Sequence, residues 1–286
     1  MIERIAILGT GLLGTSVGLA LRAAGFGGSI VGWNRGAAGA DTALAAGAID
    51  SIAADPLQAA LVAQVVVLAV PIYSTLDFME KLSGVLGPEH LVTDVGSTKG
   101  QITAAAGRLF NTPERAAFLP GHPMAGKERG GAALGDAELF RGAVWLFTDD
   151  ASWQRSAHSA ELVKGWRELV GAMGARTLDL DPARHDELVA WVSHLPQFVA
   201  TALSALLQDE IGDAPELRDI GGRALREMTR LGASPYSMWR DIALTNTEAV
   251  QATLFALEQR LAHLRENLRT PGLRDEFEQA NQFRRE

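Results

Sequence analysis

Gly9-Thr10-Gly11-Leu12-Leu13-Gly14 follows the apolar run Arg4-Ile5-Ala6-Ile7-Leu8 and opens a helical pattern that lasts to Ala24, where Gly25 makes a C-terminal cap. The order is strand, glycine turn, helix. Gly9 permits the tight turn, Gly11 lets the backbone approach a pyrophosphate, and Gly14 lets helix and strand pack closely. The helix N-terminus at Leu12 and Leu13 offers free N–H groups and a positive dipole end to phosphates. A bare G-x-G-x-x-G is weak; at the end of a first strand it predicts a dinucleotide site.

Working outward, Ser29-Ile30-Val31-Gly32-Trp33 reads as the second strand and ends at Asn34-Arg35. An NAD site expects a carboxylate about 20 residues past the fingerprint, to hold the ribose 2′-hydroxyl. Asn34 stands there instead, and Arg35 can pair with a 2′-phosphate. NADP is therefore favoured over NAD. Val65–Val70 is an unbroken apolar run, as a central parallel strand requires, and Pro71 stops it. Leu91–Val95 is the next strand, ending at Gly96-Ser97-Thr98-Lys99, and Ala117–Leu119 and Ala143–Phe147 complete the set. Strand alternating with helix predicts a doubly wound Rossmann-type parallel sheet. Ligands bind outside the carboxyl ends of such strands, which is where the glycine turn, Asn34, Val70, Pro71, Ser97 and His122 should fall.

Gly121-His122-Pro123-Met124-Ala125-Gly126-Lys127-Glu128 puts a histidine, a lysine and a glutamate among glycines and a proline. It reads as a tight polar loop, since Gly and Pro suit neither a helix nor a strand interior. A short strand near Arg176–Leu180 closes the first domain, 1–180. From about Asp181 to the end, 181–286, the pattern is almost wholly helical. Pro182 starts a helix through His185, Leu188, Trp191 and Val192 to Leu206, interrupted at Ser193-His194-Leu195-Pro196. Arg230 sits beside the breaker Gly232 and can point into a cleft. Leu254, Leu257, Leu261 and Leu264 form a stripe suited to burial against a second copy, or alternatively to packing within the chain. The charged tail, 276–286, is expected to fray.

The 286 residues carry a formal charge of −8, are 47% hydrophobic and include no cysteine. That excludes disorder, disulfides, thiolate metal sites and cysteine nucleophiles. No long basic run points to nucleic acid or an anionic membrane. Residues 5–24 mimic a signal peptide's apolar region, but Glu3 and the turn-spaced glycines argue otherwise. No other window reads as a bilayer span, so the expectation is a soluble, cytoplasmic protein.

Four motifs together resemble the prephenate/arogenate dehydrogenase family of tyrosine biosynthesis: Thr93–Lys99, Gly121–Glu128, Ser193–Pro196, and Met228-Thr229-Arg230 leading to Met238-Trp239-Arg240-Asp241. The resemblance runs from about Ile5 to Asp241. It implies an NAD(P)-binding domain, an all-helical domain that makes a homodimer, and oxidative decarboxylation of prephenate or arogenate. By matching position, His122 resembles the group that takes the proton of the ring 4-hydroxyl. Ser97 resembles the serine that bonds that hydroxyl or orients the histidine. Arg230 resembles the arginine that binds a substrate carboxylate, and Glu128 a gating acid. Ser193 and His194 resemble residues lining substrate and nicotinamide. A substrate-facing position that is His in many prephenate enzymes is Gln197 here, which leaves arogenate open. Nothing after the helical region resembles an ACT domain.

Two other readings compete. A β-hydroxyacid dehydrogenase shares the two-domain plan but needs a catalytic lysine in the second domain, and residues 181–286 hold none. A non-catalytic NADP-binding redox sensor needs the glycine turn but not His122, Ser97 and Arg230.

Overall fold

In the computed structural model, residues 1–212 and 214–285 are described. The first domain is built on β1 (Arg4–Leu8), β2 (Ser29–Trp33), β3 (Ser51–Ile52), β4 (Val65–Leu68), β5 (Leu91–Asp94) and β6 (Ala117–Leu119). They form one sheet in the order β3-β2-β1-β4-β5-β6, and every pair is parallel. The strand order reverses between β1 and β4, which opens the ligand crevice above the glycine turn.

Because the sheet is covered on both faces, alternate residues of one strand enter different cores. Ile5 and Ile7 pack on one side with Val65, Val67 and Leu91. Ala6 and Leu8 pack on the other with Val66, Leu68 and Phe118. Helix Leu12–Ala23 lies against the sheet at Gly14, where a Cβ would run into the Gly9 carbonyl. Gly25 and Gly47 take φ of +84° and +74° just past their helices, as C-terminal caps require.

The expected seventh strand of this sheet belongs elsewhere. β7 (Gly121–Pro123), β8 (Val144–Phe147) and β9 (Arg176–Asp179) form a second, three-stranded sheet in the order β7-β8-β9. β8 runs antiparallel to β7, and that reversal takes it off the parallel sheet. Trp145 anchors it, buried among Phe140, Phe147 and Trp166.

The expected loop at His122 is therefore a strand. β7 is an edge, so Pro123 removes no ladder donor that the sheet needs. Gly121 is required by close approach: a Cβ there would lie 2.8 Å from both the Asp94 carbonyl and Trp145 Nε1.

Asp181 caps the first helix of the second domain, its carboxylate accepting N–H bonds from Ala183 and Arg184 at 2.9 and 3.2 Å. Helix Pro182–Val189 passes through a π-helical turn, Ala190–His194, into helix Leu195–Ile211. Pro196, in the first turn of that second helix, has no N–H for the ladder, and the widened turn absorbs the mismatch. The continuous run 182–211 is 30 residues long and holds an 18-residue window of mean hydropathy 1.2, so by length and composition it does match a bilayer span. It nonetheless buries His185, Asp186, His194 and Gln197 within the protein.

Helices Glu216–Ile220, Gly222–Thr229, Tyr236–Thr245, Thr247–Glu266 and Gly272–Arg285 complete the domain. The charged tail is helical up to Arg285 rather than frayed. Glu276 accepts a 2.6 Å bond from Arg260, which ties the last helix to its neighbour. Trp191 and Val192 are exposed in the single chain, as are Phe255 and Leu261. Leu254, Leu257 and Leu264 are half-buried.

Candidate active site

β5 delivers Asp94 to the centre of the molecule. Its Oδ1 accepts the Gly121 N–H at 3.0 Å and its Oδ2 the Gly96 N–H at 2.7 Å, which pins the start of β7 to the end of β5. Lys99, fully buried, ion-pairs with Asp94 Oδ2. Ser97 lies half-buried in the turn between these two residues. β7 then carries His122 inward, where it is 7% exposed.

From the other side, helix Pro182–Val189 presents His185 and Asp186. His122 Nδ1 lies 2.9 Å from His185 Nε2, and His185 Nδ1 lies 2.8 Å from Asp186 Oδ1. Asp186 also accepts the Lys99 N–H at 2.7 Å and the Gly100 N–H at 2.8 Å, at the start of helix Gly100–Leu109. One carboxylate thus joins the second domain to the N-terminal end of a first-domain helix, where the dipole favours negative charge.

The electrostatics favour neutral imidazoles. Burial first, then the neighbouring His185, Lys99 and His194, hold His122 well below the ordinary histidine range. Burial also depresses His185, against the pull of Asp186. His194 falls to about 4 through burial. It sits in the π-helical turn beside half-buried Ser193, with its ring edge-on to Trp239 at 5.9 Å. Asn246 Nδ2 lies 3.4 Å from His194 Nδ1, and buried His194 Nε2 has no partner among the described residues. That nitrogen is a ready contact for a bound ligand.

Arg230 opens a 3₁₀ turn, Arg230–Ala233, and pairs with Glu128 from the loop beyond β7. Gln197 is buried; its Nε2 donates to the Leu231 carbonyl at 2.7 Å and to Thr201 Oγ1 at 3.1 Å, bracing the Arg230 turn.

The glycine turn fits a dinucleotide. Gly9 has φ +104° and no room for a Cβ, because Ala69 and Val70 lie against it. A Cβ on Gly11 would meet nothing within 4 Å, which leaves open space beside the start of helix Leu12–Ala23. No side chain caps that helix, so the N–H groups near Leu12 and Leu13 are free for phosphate oxygens. Val70 and Pro71 border the turn from the end of β4. Asn34 and exposed Arg35 follow β2, with Asn34 Nδ2 bonded to the Gly36 carbonyl at 3.0 Å.

Sequence reasoning singled out His122, Ser97, Ser193, His194, Gln197, Arg230 and Glu128, but not His185, Asp186 or Asn246. The pattern held one hint. His185 lies on the buried stripe of its helix with Val189, and a His-Asp pair on such a stripe needs polar partners.

A doubly wound sheet with an open glycine turn, joined to a helical domain that sets His185 and His194 beside His122, defines a two-domain NAD(P)-dependent oxidoreductase. Two family models match the chain: "Prephenate dehydrogenase, nucleotide-binding domain" over residues 17–177 and "Prephenate dehydrogenase, dimerization domain" over residues 181–283. The chain belongs to the prephenate dehydrogenase family.

It is 32% identical over 265 residues to a prephenate dehydrogenase of Lactococcus lactis, covering 92% of this chain and 70% of that one. It is 31% identical to a prephenate dehydrogenase of Bacillus subtilis, covering 87% of this chain and 66% of that one. The chain thus spans about two thirds of the length of these curated relatives. Among solved structures, prephenate dehydrogenase from A. aeolicus, in complex with hydroxyphenyl propionate and NAD+, superposes with a TM-score of 0.83 at 28% identity, covering 100% of this chain and 96% of that one. Synechocystis arogenate dehydrogenase gives a TM-score of 0.75 at 28% identity, covering 98% of each chain.

Proposed function

We propose that the protein oxidatively decarboxylates prephenate to 4-hydroxyphenylpyruvate, with NADP favoured over NAD as oxidant. Gly9, Gly11, Leu12, Leu13 and Gly14 would hold the pyrophosphate, with Asn34, Arg35, Val70, Pro71 and Ser97 along the rest of the cofactor's path. When bound, the nicotinamide accepts the hydride from the ring carbon that bears the 4-hydroxyl. His122 takes the hydroxyl proton as that oxygen becomes a carbonyl. The ring carboxylate leaves as carbon dioxide, its bonding electrons complete the aromatic ring, and the 4-oxygen takes the proton back from His122 to become the phenol. Aromatisation supplies the driving force, so the protein's contribution is placement and proton transfer.

The observation that carries this reading is His122, buried between the two domains and held neutral by its surroundings. A neutral imidazole can accept a proton; one already protonated cannot. Ser97, in the adjoining turn, is assigned to bond the same hydroxyl. Arg230 is assigned to a substrate carboxylate, with Glu128 as its partner when that carboxylate is absent. Ser193, His194 and Gln197 line the substrate side.

The domains divide at about Asp181. The exposed apolar residues Trp191, Val192, Phe255 and Leu261 support a homodimer through the helical domain. A soluble, cytoplasmic enzyme is proposed with this reading.

Arogenate is the second substrate to weigh, because Gln197 replaces a histidine common in prephenate enzymes. The test is nicotinamide reduction by purified protein, with prephenate and arogenate each crossed with NADP and NAD. Fast reduction with prephenate and NADP is expected. Arogenate preference would assign the specificity to Gln197. No reduction in any combination, with cofactor still bound, would replace the enzyme with the redox sensor.

A further inference from the structure

We infer that His185 and Asp186 are positioning residues that fix the tautomer of His122, so that its Nε2 is the atom that accepts the substrate proton. The inference rests on the dehydrogenase reading for what the proton transfer does, but the tautomer can be tested without turnover.

Donors and acceptors along the chain fix the tautomer. Asp186 Oδ1 faces the Lys99 N–H at 2.7 Å and His185 Nδ1 at 2.8 Å, and its Oδ2 faces the Gly100 N–H at 2.8 Å. A carboxylate that already accepts two backbone N–H bonds stays ionised and only accepts. Its third neighbour, His185 Nδ1, must therefore carry a hydrogen. His185 is neutral, being buried beside the Lys99 ammonium, so its Nε2 has a lone pair and no hydrogen. Its neighbour at 2.9 Å, His122 Nδ1, must then be the donor. In neutral His122 the remaining nitrogen, Nε2, is bare. Each step follows from the one before, and the chain starts at two backbone amides whose direction cannot change.

The arrangement also shares out the charge. When His122 Nε2 gains a proton, Nδ1–H goes on donating to His185, and His185 to ionised Asp186. No bond reverses, and the imidazolium faces a carboxylate through one neutral ring. The groups around His122 are His185 and, nearby, Lys99, His194, Asp94 and Asp186. His122 belongs to β7, whereas His185 and Asp186 belong to the second domain. The base is thus oriented only when the domains are docked, which ties the chemistry to the inter-domain seat of Asp186.

Three variants separate orientation from packing. His185→Gln keeps an acceptor toward His122 and a donor toward Asp186, so it should keep turnover within about tenfold of wild type. His185→Leu fills space but offers neither, and should lower kcat by about 10²–10⁴-fold with little change in KM, the range of general-base catalysis. Asp186→Ala removes the acceptor that fixes the hydrogen of His185, so the tautomer of His122 is no longer dictated.

Long-range ¹H–¹⁵N NMR of histidine-labelled protein reads this directly, with His122→Asn identifying the signal among six histidines. The expected result is a protonated Nδ1 and bare Nε2 in wild type, averaged with the other tautomer in Asp186→Ala. A wild-type Nε2–H tautomer overturns the inference even if the enzyme is active. Equal turnover in Leu and Gln variants at position 185 overturns it too. Wild type that binds cofactor but turns over no substrate would defeat the dehydrogenase reading while leaving the tautomer result standing.

Discussion

Arg230 and Glu128 form an ion pair between the 3₁₀ turn of the helical domain and the loop beyond β7. The Arg230 side chain is 60% exposed, so the pair adds little stability and separates readily. An arginine assigned to a substrate carboxylate must trade one carboxylate for another. Arg230→Ala is expected to raise KM about 10–100-fold, the worth of a charge-assisted bond, with kcat changed far less. Glu128→Gln removes the competitor and should lower KM. Steady-state kinetics check both, and an unchanged KM in Arg230→Ala removes Arg230 from substrate binding.

The glycine turn separates stability from binding. Gly11 is extended, with φ −80°, and open space stands where its Cβ would be. Gly11→Ala should therefore leave thermal stability unchanged and weaken cofactor binding at least about tenfold, by filling the approach to the phosphates. Gly14→Ala drives a Cβ into the Gly9 carbonyl and should destabilise the fold by about 1–3 kcal/mol. Melting curves with and without NADP distinguish the two. Unaltered cofactor affinity in Gly11→Ala would move the pyrophosphate away from this turn.

What was legible in the sequence followed local rules. The β1 turn and helix, the buried β4 and the helix stop at Gly25 each depend on residues a few positions apart. His122 was legible as a candidate but not as a strand. Its conformation depends on β8, more than 20 residues later, and on Asp94 receiving the Gly121 N–H. His185 and Asp186 were hidden by the regularity of their helix, since periodicity shows which face is buried but not which polar partner awaits there. The direction of the last helix was obscured by its charge; the Arg260–Glu276 bond that seats it spans 16 positions.

Arg35 is exposed beyond β2, and Asn34 supplies no carboxylate to repel a 2′-phosphate. Arg35→Ala should weaken NADP about 10–100-fold and leave NAD nearly unchanged, since only NADP carries the group the guanidinium would bind. Cofactor titration by fluorescence measures this. Equal losses for both cofactors would assign Arg35 to the adenine instead.

Phe255 and Leu261 are 63% and 55% exposed in the single chain, on the helix Thr247–Glu266. Burial of such residues against a second copy is the ordinary driving force of a dimer. Leu261→Glu should place a charge in that contact and shift the protein toward monomer in sedimentation experiments at micromolar concentration. A variant that remains fully dimeric would place the interface on another face.

The buried histidines couple folding to pH. His122, His185 and His194 all have native pKa values below the ordinary 6.5, with burial the largest cause in each. Above pH 6.5 these groups are neutral both folded and unfolded, so they leave stability unaffected. Below it the unfolded chain binds protons that the native state refuses, and acidification favours unfolding. For His194 the window runs from 6.5 down to about 4, a loss of about 3 kcal/mol when fully traversed. Urea denaturation at pH 7.5 and 5.5 should show lower stability at the acidic value, and His194→Asn should reduce the difference by about 1 kcal/mol. The same depression keeps His122 able to accept a proton in mild acid, so the acid limb of kcat/KM should lie below 6.5. Stability that rises on acidification, or an acid limb above 6.5, would show that these rings are charged in the native protein.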